Sequence, residues 1–238
     1  MAIPLSVPTL PARRPSIPWS WRSPFGVPEP RARRWLNALV ALAGILVTLP
    51  LIVVIAALVK LSSSGPVFYA QTRVGFDGRR HRRAALNGRR QDDLGGRPFP
   101  IYKFRTMRVA TARKAEVWAG DDDQRITTVG RWLRRTHLDE LPQLFNVLRG
   151  DMNVVGPRPE QPSIFARLRR EVSAYTRRQY VRPGITGWAQ VNLPYDRSVD
   201  DVRRKLALDL EYLRRQSAAE DWRIMWRTVP VMLFRRGR

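Results

Sequence analysis

The longest apolar run in the chain extends from Trp35 to Val59 without a charged residue. It is long enough for a helix that crosses a hydrocarbon core of about 30 Å, so residues 35–61 are predicted to be a membrane element. Pro50 lies near the middle of this run. Because proline lacks an amide hydrogen and crowds the carbonyl four residues earlier, it is expected to kink or break the helix.

Basic residues flank this run on both sides, with Arg31, Arg33 and Arg34 before it and Lys60 and Arg73 after it. Positive charge favours the cytoplasmic side of a membrane, so neither flank favours translocation. A helix that is broken at its proline, and that enters and leaves through one face, would satisfy both flanks. A kinked single span is the alternative, because prolines are tolerated in membrane helices. The apolar pattern leaves both open.

The pattern elsewhere predicts an α+β fold that is mostly α, with a small β element. Residues 1–34 are rich in proline and arginine without an apolar period, which is typical of a disordered arm. Short β-prone runs lie on either side of residues 81–97, a polar and glycine-rich stretch that is predicted to be an exposed loop. Apolar spacing predicts helices at residues 131–134, 141–148, 164–180, 199–214 and 222–234.

The composition adds a strong positive charge. The chain carries 43 lysine and arginine residues against 20 acidic residues, a formal net charge of +23. Such a charge attracts anions, whether phosphate ligands, nucleic acid or acidic lipid head groups, and does not choose among them. The sequence contains no cysteine, which excludes disulfides, thiolate metal sites and a cysteine nucleophile.

Two adjacent acids, Asp139 and Glu140, precede an apolar stripe at residues 141, 144, 145 and 148. The spacing of the stripe predicts a helix, and Pro142 fits its first turn. Asp139 is therefore expected at or near the N-cap and Glu140 just inside the helix, where free backbone donors keep carboxylates ionised. The alternative is that both acids do no more than cap this helix.

Cations lie on either side of these acids in the sequence. Arg134 precedes them, and Arg158 follows between two prolines that restrict its backbone and suit it to holding an oxyanion. Lys103 and Arg105 share one face if their segment is a strand, and Arg182 accompanies two glycine turns that suit a phosphate. A solvated strand face and a structural turn are the alternatives. Together these groups predict cations and carboxylates around a phosphorylated ligand beside a membrane.

Three segments resemble the bacterial sugar transferase family in order and spacing: "YKFRTM", "LDELPQLFNVLRGDMNVVGPRPE" and "RPGITGWAQVN". These enzymes are monotopic phosphoglycosyl transferases, and the resemblance covers residues 35–232. It implies transfer of a sugar 1-phosphate from a UDP-sugar to polyprenyl (undecaprenyl) phosphate, with release of UMP. That reaction is the first membrane step of polysaccharide or glycoconjugate synthesis.

The resemblance also implies roles for individual residues. Asp139 would be the nucleophile, forming a covalent aspartyl-phosphosugar intermediate, and Glu140 would be its partner. Magnesium would be held by the same two carboxylates. The motif match adds three candidate contacts for phosphate or nucleotide: Lys103, Arg134 and Arg158. It also adds Asp209 as a further polar residue of the site.

The family implies a membrane topology as well. A re-entrant helix-break-helix, broken at Pro50, would enter and leave through the cytoplasmic face of the bacterial inner membrane, leaving residues 62–238 as a cytoplasmic catalytic domain. Amphipathic helices would lie in the interface, with Trp222 and Trp226 near the lipid head groups. The expected partners are a UDP-sugar, polyprenyl phosphate and membrane lipids. Nucleic acid is not expected, and a homo-oligomer is left open.

The sequence departs from the family pattern at several positions. His137 stands where serine is usual, Leu49 replaces the serine before the helix-breaking proline, and residues 81–97 look like an insertion. The charge motivates a different function, a membrane-tethered basic protein that binds nucleic acid or acidic lipid without catalysis. A catalytically inactive scaffold with the same fold is a third reading, although the intact pair of acids argues against it.

Overall fold

A computed structural model of the chain describes residues 29–78, 96–109, 123–194 and 198–234. The predictions for residues 1–28, and for the loop at 81–97 except its last two residues, lie outside the described residues. Those two residues, Gly96 and Arg97, directly precede a strand. Arg97 accepts from the backbone amide of Gly75 and donates to the carbonyl of Phe76.

The described residues are mostly helical. They form seven α-helices: α1 Arg31–Ser62, α2 Thr128–Thr136, α3 Gln143–Arg149, α4 Pro162–Glu171, α5 Trp188–Asn192, α6 Val199–Arg215 and α7 Ala218–Phe234. Two short 3-10 helices, Leu138–Glu140 and Tyr175–Tyr180, lie between them. The prediction of a mostly α fold is confirmed.

The small β element is also confirmed, as two separate pairs of strands. The strands β1 Phe68–Val74 and β2 Pro98–Phe104 are antiparallel, with Tyr69 directly opposite Lys103. The short strands β3 Asn153–Val155 and β4 Gly184–Thr186 are parallel.

The helix predicted at residues 164–180 is wrong in its second half. The helix α4 ends at Glu171, and the chain continues through Ala174, which has a φ of 65°. A left-handed residue does not continue an α-helix, so the backbone restarts as a 3-10 turn. The break lets Val172 and Tyr175 both enter the core with Phe165.

The apolar helix α1 begins at Arg31, inside the arm that was predicted for residues 1–34. It runs through Pro50 as one helix of 32 residues, so the proline does not divide it into two helices, and the expected kink stays a prediction. A proline removes only one backbone donor, and the helical turns on either side keep their own hydrogen bonds. By length and composition, α1 is the one helix among the described residues that could cross a membrane.

The first turns of α1 are bound to the rest of the protein by polar contacts. Arg33 is buried and donates to Asp221 on α7 and to the hydroxyl of Tyr212 on α6. Arg34 donates to the carbonyls of Val147 and Leu148 in the last turn of α3. The amide of Asn37 is buried and accepts from a backbone N–H of β3. These contacts explain why the helix starts before its apolar run.

The later turns of α1 pack on the same body through apolar side chains. Ala41 is buried against β2 and α3, in a cluster with Phe99 and Val147. Near the other end of the helix, Ile55 and Val59 are fully buried in a cluster with further apolar side chains of β2 and α2. Both ends of α1 therefore attach to one compact unit, while an apolar stripe along its length stays exposed, including Leu39, Leu46, Val47 and Val53.

Candidate active site

The two acids lie in the 3-10 turn Leu138–Glu140, between α2 and α3. His137 ends α2 in the left-handed region, with a φ of 57°, and reverses the chain into this turn. The turn is closed by hydrogen bonds from the amides of Glu140 and Leu141, and α3 begins only at Gln143. Asp139 is therefore not an N-cap. The predicted capping role is wrong, because the helix starts later than the apolar stripe indicated.

Glu140 is the acid that holds the cations of the site. Its carboxylate accepts from Lys103 Nζ at 2.6 Å and from the two terminal nitrogens of Arg158 at 2.7 and 3.3 Å. Burial would raise its pKa, but the charges and hydrogen bonds of Arg158 and Lys103 outweigh burial and hold the pKa well below its usual value. Glu140 is therefore ionised at neutral pH.

Asp139 has a different environment although it is the next residue. Its nearest cation is Lys103, whose Nζ lies 4.0 Å from Oδ2. Burial raises the pKa of Asp139 to about 6, since the charge of Lys103 offsets only part of that effect and Glu140 adds to it. The two acids thus differ in kind: one is neutralised by two cations, and the other is a weakly paired carboxylate with raised basicity.

The elements around the turn explain how Lys103 reaches the acids. Lys103 lies one residue before the end of β2, and the fully buried Asn146 fixes β2 to α3 by accepting from the Tyr102 amide and donating to the Pro100 carbonyl. Arg105 lies beyond the strand and donates instead to carbonyls at the end of α1. The expected shared face of Lys103 and Arg105 is therefore wrong.

Arg158 lies against the acids, whereas Arg134 lies farther from them. Arg158 contacts Glu140 directly, as expected for a cation held between Pro157 and Pro159. Arg134 instead donates to the hydroxyl of Thr106, 3.1 Å away, and its charge lowers the pKa of Asp139 less than the charges of Lys103 and Arg158 do. Arg134 therefore lies at the edge of the site.

Asp209 was expected to be a polar residue of the site, and the structure places it behind the site instead. It is buried on α6 and lies 2.8 Å from Arg178. Arg178 in turn donates to the backbone carbonyl of Arg158. The link between Asp209 and the two acids is therefore indirect.

Arg182 and its glycine turns make several contacts within the fold. Arg182 donates to the carbonyl of Gly150, pairs with Glu29 and stacks on Phe76. Gly184 has no room for a side chain, because a Cβ there would clash with the backbone of Gly156. These contacts agree with the structural alternative for this motif, and its binding of a phosphate stays a prediction.

Sequence reasoning missed two further groups near the acids. Arg73 donates to the carbonyl of Pro159 at 3.1 Å, and its pKa is lowered by burial and by the charge of Arg158. Tyr69 is half-exposed and lies across the strand pair from Lys103. Tyr69 and Arg73 are four residues apart in β1, so the period-two alternation of a strand puts both on one face. That alternation in the sequence could have identified them.

The two acids are also the candidate metal ligands. The described residues contain no group of three or more His, Cys, Asp or Glu side chains that could hold a metal ion. Both oxygens of Glu140 already face cations. Mg²⁺ commonly uses only one or two carboxylates and completes its shell with water and substrate phosphates. The residues therefore fit magnesium only as a site shared with a phosphorylated ligand.

Comparison with known proteins shows the family of the chain. Residues 29–235 match the family model described as bacterial sugar transferase. The chain belongs to the bacterial sugar transferase family. It is 39% identical over 201 residues to the UDP-N-acetylgalactosamine-undecaprenyl-phosphate N-acetylgalactosaminephosphotransferase of Aeromonas hydrophila, an alignment that covers 84% of this chain and 43% of the relative.

A second bacterial sugar transferase gives a similar result. The UDP-glucose:undecaprenyl-phosphate glucose-1-phosphate transferase of Escherichia coli is 40% identical over 182 residues, covering 76% of this chain and 35% of the relative. The chain thus spans less than half the length of these two relatives. A relative of the same description from Caulobacter vibrioides is 39% identical over 186 residues, covering 77% of this chain and 63% of its own length.

Proposed function

We propose that the chain is a phosphoglycosyl transferase that moves a sugar 1-phosphate from a UDP-sugar to polyprenyl phosphate. The observation that carries the proposal is the unequal pair of acids, in which Glu140 is bound to two cations and Asp139 keeps a weakly paired carboxylate with a pKa of about 6. A carboxylate with raised basicity is a better nucleophile than a fully neutralised one. The relatives are named for a UDP-sugar and undecaprenyl phosphate, and this supports the same reaction.

In the proposed first step, a carboxylate oxygen of Asp139 attacks the β-phosphorus of the UDP-sugar. The bond from that phosphorus to the bridging oxygen breaks, and UMP leaves with the oxygen and its electron pair. The sugar phosphate is then joined to Asp139 as an acyl phosphate. In the second step, an oxygen of polyprenyl phosphate attacks the same phosphorus, and the Asp139 carboxylate leaves. Neither step requires a net proton transfer.

The cations have a clear part in this scheme. Lys103 and Arg158 lie against Glu140, next to the attacking carboxylate, where the oxygens of the diphosphate must come. Fixed positive charge at that point stabilises the charge that develops on the phosphoryl group and on the leaving UMP. Magnesium, held by Asp139 and Glu140 together with the diphosphate, would supply further charge neutralisation when bound.

The attachment of α1 supports a membrane topology in which both ends of the helix stay on one side. At 1.5 Å per residue, its 32 residues measure roughly 48 Å, more than the thickness of a hydrocarbon core. Arg33 at one end and Val59 at the other both contact the same unit. A helix held at both ends by one water-soluble body fits a re-entrant or interfacial position better than a perpendicular span.

We place this body on the cytoplasmic face of the bacterial inner membrane, where UDP-sugars are made and acceptor phosphates are exposed. Trp35, Trp222 and Trp226 are each exposed by about two thirds or more of their surface. The Arg33–Asp221 contact brings the start of α1, with Trp35, beside the start of α7, with Trp222. Exposed tryptophans next to arginines are typical of membrane interfaces, so these helices are proposed to lie among the lipid head groups.

Release of UMP tests the proposed reaction. Membranes that contain the chain, given a UDP-sugar and polyprenyl phosphate, are expected to release UMP and to form a lipid-linked sugar phosphate. Asp139→Asn should abolish both. Asp200→Asn is a matched control, because Asp200 is an exposed aspartate paired with Arg203 on α6. Full activity of Asp139→Asn would refute the assignment of the nucleophile, and mass spectrometry of products from a panel of UDP-sugars would identify the donor.

A further inference from the structure

A buried cluster of charges lies behind the two acids, on the side of the Pro157–Pro159 loop away from Glu140. Its centre is Arg178, which is 3% exposed. One terminal nitrogen of Arg178 donates to Glu160 at 3.0 Å and to the hydroxyl of Tyr175 at 2.6 Å. The other lies 2.8 Å from Asp209 and donates to the carbonyl of Arg158 at 3.0 Å.

Filling the core with this cluster of charges is energetically unfavourable compared with apolar packing. Taking charges out of water costs free energy that their mutual attraction only partly returns, so a buried ion pair is weak support for stability by itself. Glu160 remains firmly ionised: burial would raise its pKa, but Lys205 and Arg178 together lower it to about 2. A persistent buried charge of this kind can instead fix one geometry among several.

The geometry that Arg178 fixes is that of Arg158. Asp209 and Glu160 hold the guanidinium in place from two directions, and the nitrogen that faces Asp209 also binds the Arg158 carbonyl. The side chain of Arg158 extends from the same residue to Glu140. Arg158 is therefore held at two points. Its backbone carbonyl is bound by Arg178, which Asp209 and Glu160 hold, and its side chain is bound by Glu140.

We propose that Arg178 is a positioning residue for the transfer reaction, locked by Asp209 and Glu160 so that Arg158 meets Glu140 as a fork. The proposal rests on the proposed function, since it assigns Arg158 to the reacting site. It also gives a role to Asp209, which acts through Arg178. A shift of Arg158 would change how Glu140 is neutralised and where the phosphate-binding charge lies beside Asp139.

The conservative variant Arg178→Lys separates positioning from charge compensation. A lysine keeps the positive charge between the two carboxylates, but its single nitrogen cannot serve both groups of partners of the guanidinium fork. Compared with Arg178→Met, Arg178→Lys is expected to recover most of the melting temperature while UMP release stays on the order of 10- to 100-fold below wild type. Recovery of both by lysine would overturn the proposal.

A double-mutant comparison tests whether Asp209 acts through Arg158. Asp209→Asn should lower UMP release about 10-fold in the wild-type chain but less than about twofold in an Arg158→Ala chain, because the group to be positioned is gone. Asp221→Asn is the matched control, since Asp221 is also a buried aspartate that pairs with an arginine and a tyrosine. Its effect should be the same in both chains. Equal losses from Asp209→Asn in both chains would contradict the proposal.

A readout without activity distinguishes a failed proposal from a failed function. The coupling between Arg158→Ala and Glu140→Gln, measured as a non-additive shift in melting temperature, should fall by about half or more when Asp209→Asn is also present. An unchanged coupling would refute the positioning role. Absence of UMP release from the wild-type chain would refute the proposed function, and the coupling would still decide whether Arg178 positions Arg158.

Discussion

Arg158 meets Glu140 as a fork, with its two terminal nitrogens 2.7 and 3.3 Å from the two carboxylate oxygens. Lys103 shares the oxygen at the shorter distance. One acid of an adjacent pair thus receives both cations, and its neighbour Asp139 receives neither at hydrogen-bond distance. This unequal sharing sets the pKa values of the two carboxylates in opposite directions, and most of the predictions below depend on it.

Removal of the charge of Glu140 should destabilise the fold. Glu140→Gln leaves Lys103 and Arg158 close together without their shared carboxylate, and loss of one partner of a buried ion pair costs about 3–5 kcal/mol. Because the folded-state pKa is lowered, the stabilisation by Glu140 is present above pH about 4.5 and is lost as the pH falls towards the folded value. Denaturant unfolding of the purified chain at pH 7 measures the difference.

The control for this change is Asp200→Asn, which breaks an exposed pair on α6. Exposed ion pairs contribute about 0–1 kcal/mol, so this variant should unfold close to the wild type. Equal destabilisation by the two variants would mean that the cations do not depend on Glu140.

Asp139→Asn should have the opposite effect on stability, and this effect should grow between pH about 4 and pH about 6. The folded-state pKa of Asp139 is raised from 3.8 to about 6, so its ionised form is disfavoured by folding. The cost therefore builds up as the pH rises from about 3.8 to about 6 and stays constant above that, and a neutral asparagine avoids it. We expect Asp139→Asn to be more stable than wild type by about 3 kcal/mol at pH 8, by about half of that at pH 5 and hardly at all at pH 3.5. A pH-independent difference would contradict this origin.

These two residues also show how much of the site the sequence predicts. Motif spacing identified Asp139 and Glu140, together with Lys103 and Arg158, and the structure brings all four together. The sequence did not predict how the cations are shared, because that depends on contacts between residues far apart in the chain. It assigned equal ionisation to both acids from a helix position that neither occupies.

The sequence also predicted the fold only in outline, because the contacts that complete it join residues far apart in the chain. Apolar spacing located the long apolar helix α1 and most of the other helices, but it does not report polar anchors. Arg33, Arg34 and Asn37 extend α1 into the predicted arm because their partners lie on α3, α6, α7 and β3. Asp209 illustrates the same limit, since a motif match identified the residue and only the packing of α6 shows that it faces Arg178.

The rate of UMP release should depend on pH through Asp139. The nucleophile must be ionised, and its pKa in the free chain is about 6. We therefore expect kcat/KM to fall about tenfold per pH unit below pH 6 and to level off above it. Initial rates of UMP release between pH 4.5 and 8.5 measure this profile. Asp200→Asn should leave the profile unchanged, and a profile that stays flat down to pH 5 would exclude Asp139 as the titrating group.

The position of α1 can be tested by cysteine labelling, because the chain has no cysteine of its own. Ala32 and Ser64 are exposed at the two ends of the helix, and Val47 is 80% exposed near its middle. If both ends lie on the cytoplasmic side, Ala32→Cys and Ser64→Cys should react with a membrane-impermeant maleimide in inside-out vesicles and not in intact cells. Val47→Cys should be protected in both preparations until detergent is added. Labelling of the two end positions from opposite sides would refute the re-entrant arrangement and leave a single span, even though both ends contact the same body in the structure.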